Sequence, residues 1–301
     1  MKTAQRSRVS FVSGGVECVA WHYPGSNGAC VIMAAGSAVT KEPGTDPFAA
    51  RFHAAGYSVL AFDYRYLGES GGRPRQVVRA RDQLADWDAA LAFAATLPEV
   101  DAGRIVVWGF SLSGGHVFRV AARHPVAAAI AQTPLADGAV AMRNALRYET
   151  IGVMLRFPLL AMGDLVRGLA GRDPLLVPLA GPRGTVAMLS TPDAQDGNRA
   201  LNPGNSYPGW QQAIAARSVI PTAWYRPGRA AADVRCPLLV VVCDSDTSAP
   251  PAPAVRAARR APAGELVELV GGHYAPFLDE HDRAIDAELA FLERVLSGRT
   301  D

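Results

Sequence analysis

The 301-residue chain is 49% hydrophobic, with 30 Lys+Arg against 28 Asp+Glu and a formal charge of +2. A chain of this length and apolar content forms one large domain, or a domain with a sizeable insertion, and can orient a site without metals or disulfides. The balanced, scattered charge excludes the field that gathers nucleic acid or an anionic membrane.

Along the chain, "RVSFVSGGVECVAWHYP" alternates around Gly14-Gly15, which predicts a hairpin of two antiparallel strands. "GACVIMAAG" reads as a buried strand, "DPFAARFHAAG" as a short helix with start and stop signals, and "YSVLAFDYR" as the next buried strand. "RARDQLADWDAALAFAATLP" places Leu84, Trp87, Leu91 and Ala95 at helical spacing. "RIVVWG" is a strand that leads into a helical pattern over 112–124, and "AAAIAQTPL" is a further apolar run. The strand "PLLVVVCDSD", the helix "PAPAVRAARRAP", the strand "GELVELVGGH" and the helix "DRAIDAELAFLERVL" follow near the end. Strands alternating with helices predict an α/β fold whose mostly parallel sheet is covered on both faces. The stretch 138–232 breaks the rhythm, because connections between a helix and a strand usually need far fewer residues. It is expected to be an inserted, largely helical lid on a core formed by 1–137 and 233–301.

Two further features bear on placement. "MKTAQRSRVSFVSGG" lacks the apolar region of a secretory signal. "IGVMLRFPLLAMGDLVRGLA" is interrupted by Arg156, Pro158, Asp164 and Arg167 and is too broken to span a bilayer. Cys18, Cys30, Cys236 and Cys243 form neither a C-x-x-C pair nor a zinc-type cluster, and buried free thiols fit a reducing compartment. The expectation is a soluble, cytoplasmic protein without metal or cofactor, acting on a small molecule. Its oligomeric state, a homodimer included, is left open.

"VVWGFSLSGGH" carries the chemistry. A strand, a very tight turn and a helix form a nucleophile elbow, which lifts a serine out of the sheet and needs small residues two before and two after it. Ser111 meets this with Gly109 and Ser113; Ser113 also has small flanks and would place the turn two residues later. A serine hydroxyl needs a histidine base and an acid that orients it. Asp244 and Asp246 follow one late strand and His273 follows the next, in the order Ser, Asp, His. Asp246 is preferred because a few residues beyond the strand let it reach across, whereas Asp244 is suited to bonding its own loop. Two backbone N–H groups, of Leu112 and of Ser37 in "AAGSAV", are the expected oxyanion donors. His281 is expected at the surface, and His22, His53, His116 and His124 in structural roles.

The chain resembles the α/β-hydrolases over nearly its whole length. "AAGSA" stands at the oxyanion loop, "DYRYLGESGG" after the next strand, "GFSLSGG" at the elbow, "CDSD" at the acid and "GGH" at the base. It departs from the family's usual His-Gly with Ala35-Gly36, and from the usual Gly two after the nucleophile with Ser113. Asp63 and Arg65 match a family turn whose role is mostly structural. "WGFSLSGGH" and "YRP…PLLV" are similar to bacterial members described as esterases, acetyl-xylan-esterase-like or dipeptidyl-peptidase-like. The resemblance implies a serine hydrolase acting on a carboxylic ester or thioester through an acyl-enzyme. Met154, Leu155, Phe157, Leu159, Leu160, Met162 and Leu165 hint at a medium-sized apolar substrate, although packing of the lid accounts for most of them. An acyltransferase, cyclase or thioesterase, an aminopeptidase or amidase, and a non-catalytic binding protein are the alternatives.

Overall fold

The computed structural model describes residues 6–297. In chain order it contains β1 (Ser7–Ser13), β2 (Val16–Tyr23), β3 (Cys30–Ala34), α1 (Lys41–Ala54), β4 (Ser58–Phe62), α2 (Ala80–Ala94), β5 (Ile105–Phe110), α3 (Leu112–Arg123) and β6 (Ala128–Gln132). There follow α4 (Gly138–Ala145), α5 (Ile151–Leu169), β7 (Leu176–Pro178), α6 (Gly197–Leu201), β8 (Ala213–Ala215) and α7 (Val219–Trp224). The chain ends with β9 (Leu238–Cys243), α8 (Pro251–Arg260), β10 (Gly264–Leu269) and α9 (His281–Ser297).

Eight strands form one sheet in the order β1-β2-β4-β3-β5-β6-β9-β10. Pairing is antiparallel through β1, β2 and β4 and parallel from β4 to β10. β3, β4, β5, β6 and β9 are buried along their whole length, which is why they read as unbroken apolar runs. The β1–β2 hairpin turns through Gly14 and Gly15, both at positive φ, the geometry that a two-residue turn requires. Two clusters cover the faces of the sheet, one built around Trp87 and Phe118, the other around Trp108 and Phe291.

α1 starts at Lys41, ahead of the expected start at Asp46-Pro47, and Pro47 lies inside it. The early turn is fixed by tertiary contacts: Lys41 is wholly buried, with its Nζ 3.0 Å from Asp63 and 3.3 Å from Glu42, and it also bonds Glu69. Asp63 accepts the Lys41 N–H as well, at 2.7 Å. Arg65 pairs with buried Asp86 at 2.6 Å. His281 is half-buried rather than at the surface: it opens α9, packs edge-on against Phe48 and bonds the Pro276 carbonyl. All four cysteines are buried, and none of them is in a disulfide.

Segment 138–232 connects the adjacent strands β6 and β9. Besides its helices it contains the small antiparallel sheet β7–β8. The α5 helix turns an apolar face to solvent, with Leu155 66% and Leu159 74% exposed. Asp164, which breaks the apolar run in the sequence, is buried and accepts the N–H groups of Leu175 and Arg217, so it ties α5 to the chain that follows. No helix among the described residues is long and apolar enough to cross a membrane.

Candidate active site

β5 runs straight into Ser111, whose backbone sits at φ 57°, ψ −114°. For a residue with a Cβ this conformation costs about 1–3 kcal/mol and persists only when its surroundings hold it. They do so through three backbone bonds. The Ser111 N–H donates to the Gln132 carbonyl at 3.0 Å, and the Ser111 carbonyl accepts from Gly115 at 3.0 Å and Leu135 at 2.9 Å. The turn is so tight that a Cβ on Gly109 would lie 2.3 Å from the Ser113 carbonyl oxygen, so only glycine fits there.

The structure places the two serines differently. Ser111 is half-buried at the start of α3 and lines a cavity. The Ser113 hydroxyl is buried, bonded to the Ala35 carbonyl and, at 2.6 Å, to the Tyr64 phenol. The Trp87 indole N–H donates to the same phenol at 2.8 Å, so Ser113 belongs to an internal polar network. The two aspartates also part. Asp244 is exposed and accepts from the Ser245 hydroxyl and the Gly271 N–H, holding its own loop. Asp246 is buried, and its Oδ2 lies 2.7 Å from His273 Nδ1. His273 Nε2 lies 2.9 Å from Ser111 Oγ. The bond to Asp246 keeps the proton on Nδ1, which leaves Nε2 free to accept the serine proton.

Electrostatics favour a charged imidazole. Burial opposes the imidazolium of His273, but the Asp246 carboxylate, with Asp193 behind it, outweighs burial and holds the group above its ordinary value. His116 behaves in the opposite way. It is enclosed between the Tyr225 hydroxyl and the Gln83 amide oxygen, and burial drives it down to about 3, so it is a neutral structural group. His53 bonds the Pro24 carbonyl, and His124 bonds Asp88.

Ser37, Leu112, Ser111 and His273 line one cavity of about 240 Å³. Leu112 is the first residue of α3, where a helix N–H has no acceptor within the helix and the dipole favours an anion. A Cβ on Gly36 would lie 3.1 Å from the Ser111 Cβ, so the loop after β3 passes close to the serine. A serine, a histidine and a buried carboxylate in this contact can transfer a proton from hydroxyl to imidazole as the oxygen attacks an acyl carbon.

The apolar wall of the cavity comes from parts of segment 138–232 other than those expected. None of Met154, Leu155, Phe157, Leu159, Leu160, Met162 and Leu165 lines it; Met142, Met188, Leu201, Trp210 and Val219 do. On α5 the apolar positions at helical spacing face outward, and periodicity alone does not say which side of a helix a protein covers.

Sequence reasoning missed Asp193. It lies in the turn Pro192–Asp196, in a run of small and polar residues with no motif. Its Oδ2 accepts the N–H groups of Thr247, Ser248 and His273, and its Oδ1 accepts the Ser248 hydroxyl. Burial disfavours the anion, yet nearby His273 and these donors outweigh it and hold Asp193 down at about 2.

The model of the alpha/beta hydrolase family matches residues 31–287, which hold six of the eight strands of the sheet and the candidate site. The chain belongs to the alpha/beta hydrolase family. Among curated relatives, this family member is 37% identical over 297 residues to the quorum-quenching protein AidA of Acinetobacter baumannii (strain MDR-ZJ06), covering 96% of this chain and 94% of that protein. It is 36% identical over 166 residues to polyketide transferase af380 of Aspergillus fumigatus, covering 54% of each. Among solved structures, the alpha/beta hydrolase GrgF from Penicillium sp. sh18 superimposes with a TM-score of 0.79 at 24% identity, over 97% of this chain and 99% of that one, a likeness of fold.

Proposed function

We propose that the protein is a serine hydrolase that cleaves a carboxylic ester or thioester of a medium-sized, uncharged acyl group. The observation that carries this reading is the continuous chain Ser111 Oγ, His273, Asp246, with contacts of 2.9 and 2.7 Å, opening on an apolar cavity. Ser111 Oγ attacks the acyl carbon and gives its proton to His273 Nε2. Asp246 keeps the ring oriented and stabilises the imidazolium. The Leu112 and Ser37 N–H groups donate to the oxyanion. The tetrahedral intermediate collapses, and the leaving alcohol or thiol takes the proton from His273, leaving an acyl-Ser111. Water, deprotonated by His273, then attacks this ester and releases the acid and the free serine. Segment 138–232 acts as the cap over this site, since it supplies most of the apolar wall.

A fluorophosphonate probe tests the reading. The wild-type protein and a Ser113→Ala variant are expected to be labelled, and Ser111→Ala is not. Ester turnover in Ser111→Ala is expected to fall by about 10⁴-fold or more. Labelling that survives Ser111→Ala and vanishes in Ser113→Ala would reject the assignment.

Acyl transfer to an acceptor other than water is the second reading, favoured by the likeness to a polyketide transferase over about half the chain. Product analysis with and without an acceptor alcohol separates the two. The likeness to a quorum-quenching protein over almost the whole chain adds quorum signals with a scissile acyl bond to the substrates to be tried.

A further inference from the structure

We propose that Asp193, contributed by the inserted segment, is a positioning residue for this reaction: its carboxylate ties the loop carrying Asp246 to the loop carrying His273 and sets a second negative charge behind the imidazole. The inference rests on the hydrolase reading for its catalytic consequence, and on geometry for the contact itself. Asp193 lies in the first turn of the short helix Pro192–Asp196, but its side chain is not spent on that helix. All four of its bonds run to residues 54 to 80 positions away. Oδ2 accepts Thr247 N–H at 2.7 Å, Ser248 N–H at 3.2 Å and His273 N–H at 3.1 Å, and Oδ1 accepts the Ser248 hydroxyl at 2.8 Å. The loops are drawn so close that a Cβ on Gly272 would lie 2.7 Å from the Asp193 Cβ. Thr247 and Ser248 follow Asp246 directly, so one carboxylate fixes the loop that carries the acid and the backbone of the base.

The charged groups facing His273 are Asp246, from the loop after β9, and Asp193. Its remaining neighbours are the Ser111 hydroxyl and the rings of Phe110 and Tyr274. Burial pushes the Tyr274 phenol up, so it stays neutral. When Ser111 attacks, the imidazolium therefore forms against two carboxylates, of which only Asp246 bonds the ring. Because Asp193 belongs to the inserted segment, the alignment of the base depends on how that segment is seated.

Two variants separate charge from clamp. In Asp193→Asn the amide oxygen can take the three N–H bonds while the amide nitrogen faces Ser248 Oγ, which turns its own hydrogen to Thr191 Oγ1, 2.7 Å away. Asp193→Ala removes the clamp. The His273 midpoint is followed by NMR of the imidazole carbons in the ligand-free protein, a readout that needs no turnover, and the pH profile of kcat/KM is followed on p-nitrophenyl esters. Asp193→Asn is expected to lower the His273 midpoint and the acid limb of kcat/KM together, by about half a pH unit or more. Asp193→Ala is expected to lower kcat by about 10-fold or more, with KM changed less than about 3-fold. An unchanged midpoint and acid limb in Asp193→Asn, with only thermal stability lost in Asp193→Ala, overturns the proposal. Absent fluorophosphonate labelling of the wild type overturns the hydrolase reading instead, and the NMR midpoint still decides the Asp193 contact.

Discussion

Two aspartates two positions apart around one serine, Asp244 and Asp246, show how little of a side chain's role is carried by its type. Asp244 is exposed and bonds its own loop, whereas Asp246 is buried against His273. Asp246→Asn, which leaves the shape but offers the wrong partner to Nδ1–H, is expected to lower kcat by about 10³–10⁴-fold. Asp244→Asn is expected to change it less than about 3-fold; steady-state kinetics on one ester compare them. The raised His273 value sets a pH dependence with two opposite signs. The base must be neutral, so kcat/KM is expected to rise as pH rises through a midpoint above the ordinary 6.5. The imidazolium's ion pair stabilises the fold fully below about 6.5, and that stability is lost as pH rises through the same folded midpoint. A pH series of kcat/KM beside thermal melts should therefore show activity gained where stability is given up. Asp193 lies on the other side: its folded value of about 2 is depressed, so its contribution, on the order of 2 kcal/mol, is complete above about pH 4 and fades as pH falls toward 2.

At the scale of elements, strands are the best-read parts, because a strand buried on both faces leaves an unbroken run such as "CVIMA" or "LLVVVC". The elbow was legible for a related reason: only small residues survive beside so sharp a turn, and Gly109 and Ser113 mark it. α5 is the reverse. Its apolar run suggested an apolar contribution to the substrate cavity but did not tell which face is outward, because the buried side is held by Val153, Ala161 and the carboxylate Asp164. The three-residue strands β7 and β8 are too short to show alternation. Asp193 was illegible because its partners are brought together only by the tertiary fold. The outward face of α5 carries a direct test. Leu155→Glu and Leu159→Glu remove exposed apolar surface and break no buried contact, so each is expected to shift stability by less than about 0.5 kcal/mol in chemical denaturation. Val153→Glu, which buries an unpaired charge, is expected to cost several kcal/mol.

On the scale of the whole molecule, the site is shared between two parts of the chain that meet over one cavity. The sheet and its loops bring Ser111, Asp246 and His273; segment 138–232 brings Met142, Met188, Leu201, Trp210 and Val219. Apart from His273 and the neutral phenol of Tyr274, no ionisable group among the described residues lines the space: Gln195, Asn198 and Gln212 are its most polar neighbours from this segment. A cavity of about 240 Å³ with this lining offers room for a medium-sized apolar chain. In a p-nitrophenyl ester series, kcat/KM is therefore expected to climb from acetate to about hexanoate or octanoate and to decline beyond it, each buried methylene adding about 0.8 kcal/mol of binding until the wall is met. An acyl group of the same length ending in a carboxylate must leave its water and finds no cation in the wall, so its ester is expected to be slower by about 100-fold or more. Val219→Trp, which adds bulk to the wall, should move the optimum to shorter chains and leave acetate turnover close to that of the wild type. If acetate and the charged ester were turned over as fast as octanoate, the cavity would not be the acyl site, and the acyl chain would have to leave Ser111 by another side of the molecule.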